Sequence, residues 1–382
     1  MEQMVLSASR GRPSLADVLP DSYAAIRSES GPLGLPQVDQ VVVMLVDGLG
    51  AHQLRSRTGH ARHLTAGWRK ADTAFTFPST TVAGVTTLTT GVRAGQHGML
   101  AYTALDEATA TVRNQLSGWG EGSMDPLRWQ LVPTVFERMR DEMPDVPAFI
   151  VGLPDYVDSG LTRASLRGAH YRPAGSIADR MQETLRILQQ ERRCVIYLYI
   201  AELDQAGHAF GWQSDEWLGA LETLDAAASE LFGGVGPSTG ILVTADHGML
   251  DIARQNQIDI EPDSELREDI IAIAGEPRLR HLYVQERSVE VAKRVAERWT
   301  RQEGSRATVL LRDEAIAAGW YGPIVAPDAR SRIGDVIIAA RSPVTYYAAE
   351  MVGSMRLLPG QHGSITPEET IVPLIRHGAF RR

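Results

Sequence analysis

The chain has 382 residues, 43% of them hydrophobic and 22% charged, a length that suggests two domains or one domain with an insertion. That balance excludes a disordered chain, a collagen-like chain and a coiled coil. A formal charge of −9 gives no general attraction for a nucleic-acid backbone or an anionic lipid surface, so neither a nucleic-acid polymer nor a membrane is expected as a partner.

Residues 1–36 read as an N-terminal extension packed on the outside. They show no basic start followed by an apolar stretch, so no secretory signal is expected. The first buried strand is Val41–Val46. The segment Phe77–Gly91 reads as a loop turning into a helix, with Gly91 as its C-terminal cap. Helices are expected over Pro133–Met143, Ile177–Arg192 and Ser214–Leu231, and strands over Ala148–Gly152, Val195–Ile200 and Ile241–Thr244. The strands are continuous apolar runs rather than alternating ones, which suits parallel strands covered on both faces. Strands alternating with helices imply a doubly wound α/β fold with a mostly parallel central sheet. Residues 258–347 break the pattern and read as a small α+β cap insertion. It has strands at His281–Val284, Thr308–Leu311 and Asp335–Ala339 and a helix over Ser288–Thr300. The catalytic core is then 37–257 plus 348–382. No apolar run approaches the roughly 18 residues of a membrane span. Cys194, the lone cysteine, permits no intrachain disulfide and reads as a buried thiol. A soluble, cytoplasmic protein is expected.

Acidic and imidazole residues recur just after the buried runs. Asp47 follows the first strand, in Asp47-Gly48. Asp204 and His208 follow the strand ending at Ile200, in Asp204-Gln-Ala-Gly-His208. Asp246 and His247 follow the strand ending at Thr244, and a fourth motif, His362-Gly363, lies near the C-terminus. Singly, each has a bland reading: an Asp-Gly after a strand is a common turn, and a His-Gly signals little. Jointly they place charged groups at the carboxyl ends of several strands, where open α/β sheets bind ligands. Three aspartates and three histidines make a mixed oxygen and nitrogen set suited to Zn²⁺ or Mn²⁺. Asp204 and His208, four apart, share a face if helical. Histidines 52, 60, 63, 97, 170, 281 and 377 lack this context and read as surface or structural. Hydroxyls cluster at Ser79-Thr80-Thr81, where one serves either as a plain helix N-cap or as a reactive group at a helix N-terminus that favours an anion.

These five motifs, in this order, resemble the alkaline phosphatase superfamily, and most closely its nucleotide pyrophosphatase/phosphodiesterase branch. The resemblance covers about residues 41–257 and 357–382. It implies a two-metal phosphoric ester hydrolase. One divalent ion, Zn or Mn, is held by Asp204, His208 and His362. The other is held by Asp47, Asp246, His247 and the Thr81 oxygen. Thr81 is implied as the nucleophile that forms a covalent phospho-threonine, with Thr80 as the alternative in this double-threonine motif. One departure stands out: phosphodiesterases of the family usually carry Phe-Pro-Asn after the nucleophile, and here stand Val82-Ala83-Gly84.

Three carboxylates and one threonine alkoxide balance two divalent ions, which suits the single charge of a phosphodiester or nucleotide substrate. No arginine adjoins Thr81 to clamp a monoester's extra charge; Arg93 lies beyond the expected helix. Tyr102, Trp119, Tyr156, Phe210 and Trp212 are candidates to flank a leaving group. A phosphonate hydrolase or a phosphomonoesterase uses similar ligands. A metal- or phosphate-binding pseudoenzyme would show a broken ligand set. A sulfatase is excluded because Cys194 is followed by Val-Ile-Tyr-Leu.

Overall fold

The computed structural model describes residues 9–120, 124–348 and 358–381. The first strand, β1, is Gln40–Val46. It is followed in the same sheet by β2 (Ala148–Gly152), β3 (His170–Pro173), β4 (Cys194–Ile200) and β5 (Thr239–Thr244). The spatial order is β3-β2-β4-β1-β5, all parallel. Ile375–Gly378 adds an antiparallel edge strand beside β5. All seven residues of β1 are buried, which is why its apolar run does not alternate. The α/β class and mostly parallel sheet expected from the strand runs are therefore observed.

The helices begin with α1 (Leu15–Ile26) and α2 (Thr81–Thr90), then α3 (Ile177–Gln190), α4 (Glu202–Phe210) and α5 (Asp215–Gly234). In α3, Ile177, Met181, Thr184 and Ile187 are buried at helical spacing, and Ser176 closes a capping box with Asp179, satisfying N–H groups that the first turn leaves open. The N-terminal segment, described from residue 9, forms α1 against the core. Leu15, Val18 and Leu19 of α1 are fully buried in the same apolar cluster as β1, and α1 packs on α2. Pro20 lies inside this helix, which obscures it in the sequence pattern.

Within 258–347 a four-stranded antiparallel sheet forms from β6 (Ile270–Glu276), β7 (Leu279–Val284), β8 (Ala307–Leu311) and β9 (Val336–Ala340), in the order β6-β7-β9-β8. Helix α6 (Val289–Glu303) covers it. At its base, Gln257–Ile260 pairs in parallel with Thr345–Ala348. Arg278, in the β6–β7 turn, forms a buried two-pronged ion pair with Glu369 at 2.7 and 2.9 Å. This pair ties the small sheet to the main body.

Among the described residues, no helix is long and apolar enough to cross a membrane.

Candidate active site

The strand order explains why residues distant in sequence meet. β1 lies between β4 and β5, with Val46 opposite Ile200 and Leu45 opposite Thr244. The three strands end level, so Asp47, Asp204 and Asp246 emerge at one edge. Gly48 follows Asp47 at φ 73°, and a Cβ there would lie 3.0 Å from Asp204 Oδ1. Only glycine permits both that conformation and that approach. Asp204 and His208 both lie on α4, on one face as their spacing requires.

Two groups of ligating atoms form. Asp204, His208 and His362 make one; Asp47, Asp246 and His247 make the other. Within each, the atoms lie within 4.8 Å of one another. His208 Nε2 is 3.1 Å from His362 Nε2 and 3.5 Å from Asp204 Oδ2. His247 Nε2 is 3.2 Å from Asp47 Oδ1 and 3.6 Å from Asp246 Oδ2. The groups adjoin, because the His247 and His362 rings stack at 3.6 Å.

The side chains are held from behind. The Nδ1 atoms of His208, His362 and His247 donate to the carbonyls of Gly360, Ser79 and Gly248, at 2.8, 2.9 and 3.1 Å. In the neutral ring this leaves Nε2 with a free lone pair, the arrangement that orients a metal ligand. Asp246 Oδ1 accepts from the Gly48 and His247 N–H groups, and Tyr199 donates its hydroxyl to Asp47 Oδ2. The remaining oxygens, Asp47 Oδ1, Asp204 Oδ1 and Asp246 Oδ2, are buried without a hydrogen-bond partner.

Burial raises the Asp204 carboxyl above its ordinary range, and burial plus the Asp47 charge raises Asp246 well above it. Burial pulls His247 down, but Asp246 and Asp47 outweigh it and push the imidazole up to about 10. Burial and the two neighbouring imidazoles press His362 well below its ordinary value. Three carboxylate oxygens without hydrogen-bond partners and the facing Nε2 atoms of His208 and His362 converge on these two groups. This donor set fits two divalent cations with mixed oxygen and nitrogen ligands.

Thr81 opens α2, and its Oγ1 is hydrogen-bonded to His247 Nε2 at 3.2 Å. Thr80 holds the N-cap position, but its hydroxyl donates to Glu276 Oε1 at 2.7 Å, away from the ligating groups. Ser79 donates to the Ser364 carbonyl. Of the three hydroxyls, only that of Thr81 is hydrogen-bonded to a residue of the ligating groups. The departure at Val82-Ala83-Gly84 has a steric cause. A Cβ at Gly84 would lie 2.6 Å from Asp246 Cβ, so no asparagine side chain fits there.

A cavity of about 630 Å³ opens beside Asp47, Thr81 and Asp204. Of the five aromatic candidates, Trp119 and Tyr156 line it. Trp212 instead packs edge-on against Trp217, and Phe210 is exposed. Tyr171, Tyr197 and Tyr199 also line it; Tyr197 and Tyr199 stand in an apolar strand run where tyrosines look like core. Among the described residues, no arginine or lysine lines the cavity. Arg93 is half-buried elsewhere, over the Phe75 ring. Glu276 was also missed: it sits in an unmotivated stretch of β6, some 200 residues from the threonine it contacts.

The histidines set aside divide in two. His97, His281 and His377 are buried with hydrogen bonds to Thr87, Tyr321 and the Leu64 carbonyl. His52, His60, His63 and His170 are exposed.

Residues 41–365 match the family model described as type I phosphodiesterase/nucleotide pyrophosphatase. The chain belongs to that family of hydrolases, within the alkaline phosphatase superfamily. No curated protein matches the chain significantly. Solved structures share the fold. Human ectonucleotide pyrophosphatase/phosphodiesterase 5 is 17% identical, with a TM-score of 0.67 over 88% of this chain and 87% of that one. Phosphonoacetate hydrolase from Sinorhizobium meliloti, in complex with phosphonoformate, is 18% identical, with a TM-score of 0.68 over 90% and 91%. An inactive threonine-to-alanine variant of the murine phosphodiesterase 5, in complex with AMP, is 17% identical, with a TM-score of 0.64 over 89% and 88%.

Proposed function

We propose that this family member is a cytoplasmic phosphodiesterase or nucleotide pyrophosphatase that acts on small molecules through a covalent phospho-threonine at Thr81. The observation that carries the reading is the Thr81 hydroxyl 3.2 Å from His247 Nε2, beside two groups of ligating atoms. Asp204, His208 and His362 would hold one divalent ion, and Asp47, Asp246 and His247, with Thr81, the other; Zn²⁺ is favoured by the imidazoles, with Mn²⁺ the alternative. Bound there, the ions supply the positive charge that lowers a hydroxyl's pKa and offsets charge on the reacting oxygens.

The chain's own groups do the rest. The Thr81 oxygen attacks phosphorus in line and expels the alcohol, and water then cleaves the phospho-threonine. The first N–H groups of α2 lack intrahelical partners and favour a phosphoryl oxygen. Tyr199 holds Asp47 from behind, and the carbonyls of Gly360, Ser79 and Gly248 fix the three imidazoles. The cytoplasmic setting rests on the sequence, with its single buried cysteine. The 258–347 cap contributes Glu276, which fixes the Thr80 side chain.

The diester preference is supported by the absence of arginine and lysine from the cavity lining, since a monoester's second charge calls for such a clamp. A phosphonate hydrolase is the second reading, favoured by the equal likeness to phosphonoacetate hydrolase. The pseudoenzyme reading is disfavoured by the intact ligand set. Paired assays decide. Bis-p-nitrophenyl phosphate is expected to turn over faster than the mono-ester, and phosphonoacetate slower than either. A faster mono-ester would overturn the diester reading, and a faster phosphonoacetate would select the second. No turnover of any of the three would leave the pseudoenzyme.

A further inference from the structure

Apart from the carboxylates of the ligating groups, the cavity holds one buried polar side chain that no described residue hydrogen-bonds. Tyr197 sits in β4 opposite Ile150 of β2, two residues before Tyr199, so both side chains leave the same face of the sheet. Their rings stack at 6.3 Å with 15° between planes. The other polar aromatics around the cavity are hydrogen-bonded or reach solvent. Tyr199 donates to Asp47 and Tyr171 to the Leu153 carbonyl. Tyr156 is only half-buried and within reach of water, and the Trp119 indole donates to the Gln115 carbonyl. The Tyr197 hydroxyl is buried and has no hydrogen-bond partner, and the residue is 1% exposed yet lines the same cavity as Thr81.

A buried hydroxyl without a partner is costly and uncommon, and a phenylalanine would fill the space without that cost. Around it the walls are Val85, Ile150, Leu166 and Tyr171. Such walls suit a flat, uncharged organic group and offer it no other buried, unpartnered hydroxyl among these aromatic residues. We propose that Tyr197 is a specificity-determining residue whose hydroxyl donates to an acceptor, a carbonyl oxygen or ring nitrogen, on a flat heteroaromatic group of the ester. This deepens the proposed function and rests on it, because the phosphoryl group is taken to sit at Thr81. Tyr197 does no chemistry; it selects which organic group enters.

The test compares two product-like anions on Zn²⁺-loaded protein by calorimetry: thymidine 5′-monophosphate, whose base carries carbonyl acceptors, and phenylphosphonate, whose ring carries none. Tyr197→Phe should weaken the nucleotide about tenfold more than the phenylphosphonate, the loss expected for one hydrogen bond. In the ligand-free protein the variant should melt no lower than wild type, because no internal bond is lost. Equal changes for both ligands, or none, would overturn the proposal, as would a lower melting temperature, which would reveal an internal or water partner for the hydroxyl. Wild type that binds the nucleotide with this discrimination but cleaves no p-nitrophenyl ester would sink the proposed function and leave the Tyr197 assignment standing.

Discussion

The two halves of the site are built on opposite plans. At the sheet edge, five of the six acidic and imidazole side chains are gripped from behind, and all six converge on two adjoining groups. In the cavity next to it, aromatic rings and aliphatic chains present faces, and nearly every hydroxyl is already spent. The edge is specified atom by atom and has the makings of chemistry. The cavity is specified by shape and has the makings of selection. Substitutions at the edge should therefore abolish turnover, whereas substitutions in the cavity should re-rank substrates.

The largest effect is expected at Thr81. Thr81→Ala should cut kcat by at least about a thousandfold while leaving the melting temperature near wild type. A Thr80→Ala variant, in which the edge keeps its reactive oxygen, should retain most activity. If the ranking of these two in a bis-p-nitrophenyl phosphate assay is reversed, the assignment of the facing hydroxyl fails.

Next is the joint between the small sheet and the core. Glu369→Gln breaks the buried pair with Arg278 and leaves a cation without its partner, a loss on the order of 3–5 kcal/mol. Urea denaturation would read it. A loss below 1 kcal/mol would mean that the two sheets are not coupled through this pair.

Glu276 should matter less. Its Oε1 accepts from the Thr80 hydroxyl and the Tyr102 N–H at 2.7 and 2.8 Å. Glu276→Gln keeps an acceptor oxygen and should behave nearly as wild type. Glu276→Ala leaves two buried donors unpaired and should cost about 2 kcal/mol or more. Equal stability of the two variants would show that the carboxylate, not the acceptor, is what counts.

A further effect concerns pH. Burial lowers His97 to about 3 and His281 to about 4, from an ordinary value of 6.5. As pH falls below 6.5, the unfolded chain takes up protons that these folded imidazoles refuse, so stability should decline progressively down to about 4. His97→Gln should flatten that decline in melting curves recorded from pH 7 to 4.5. An unchanged slope would assign the acid sensitivity to other groups.

The same contrast explains what the sequence could reveal. The edge was legible because few residue types ligate a cation and because glycine must stand beside them. Asp47-Gly48, Asp204 to His208 and Asp246-His247 at strand ends left little freedom. The strands were legible as well, since β1 and β4 are unbroken apolar runs. The cavity was not. A tyrosine in a buried strand packs equally well with or without a ligand against it, so Tyr197 and Tyr199 are indistinguishable from core until hydrogen bonds are assigned. Glu276 was hidden for another reason: its contact with Thr80 depends on how an inserted sheet docks, and no local pattern encodes that. Helix α1 was not legible because Pro20 sits inside it and interrupts the pattern expected of a helix.

The most direct test of the central claim is metal stoichiometry. Wild-type protein and the single variants Asp204→Ala and Asp246→Ala would be reconstituted with Zn²⁺, freed of unbound metal and assayed by plasma mass spectrometry. Two ions per chain in the wild type, and a loss of about one in each variant, is the expected result. Less than one ion in the wild type, or two retained in both variants, would contradict it.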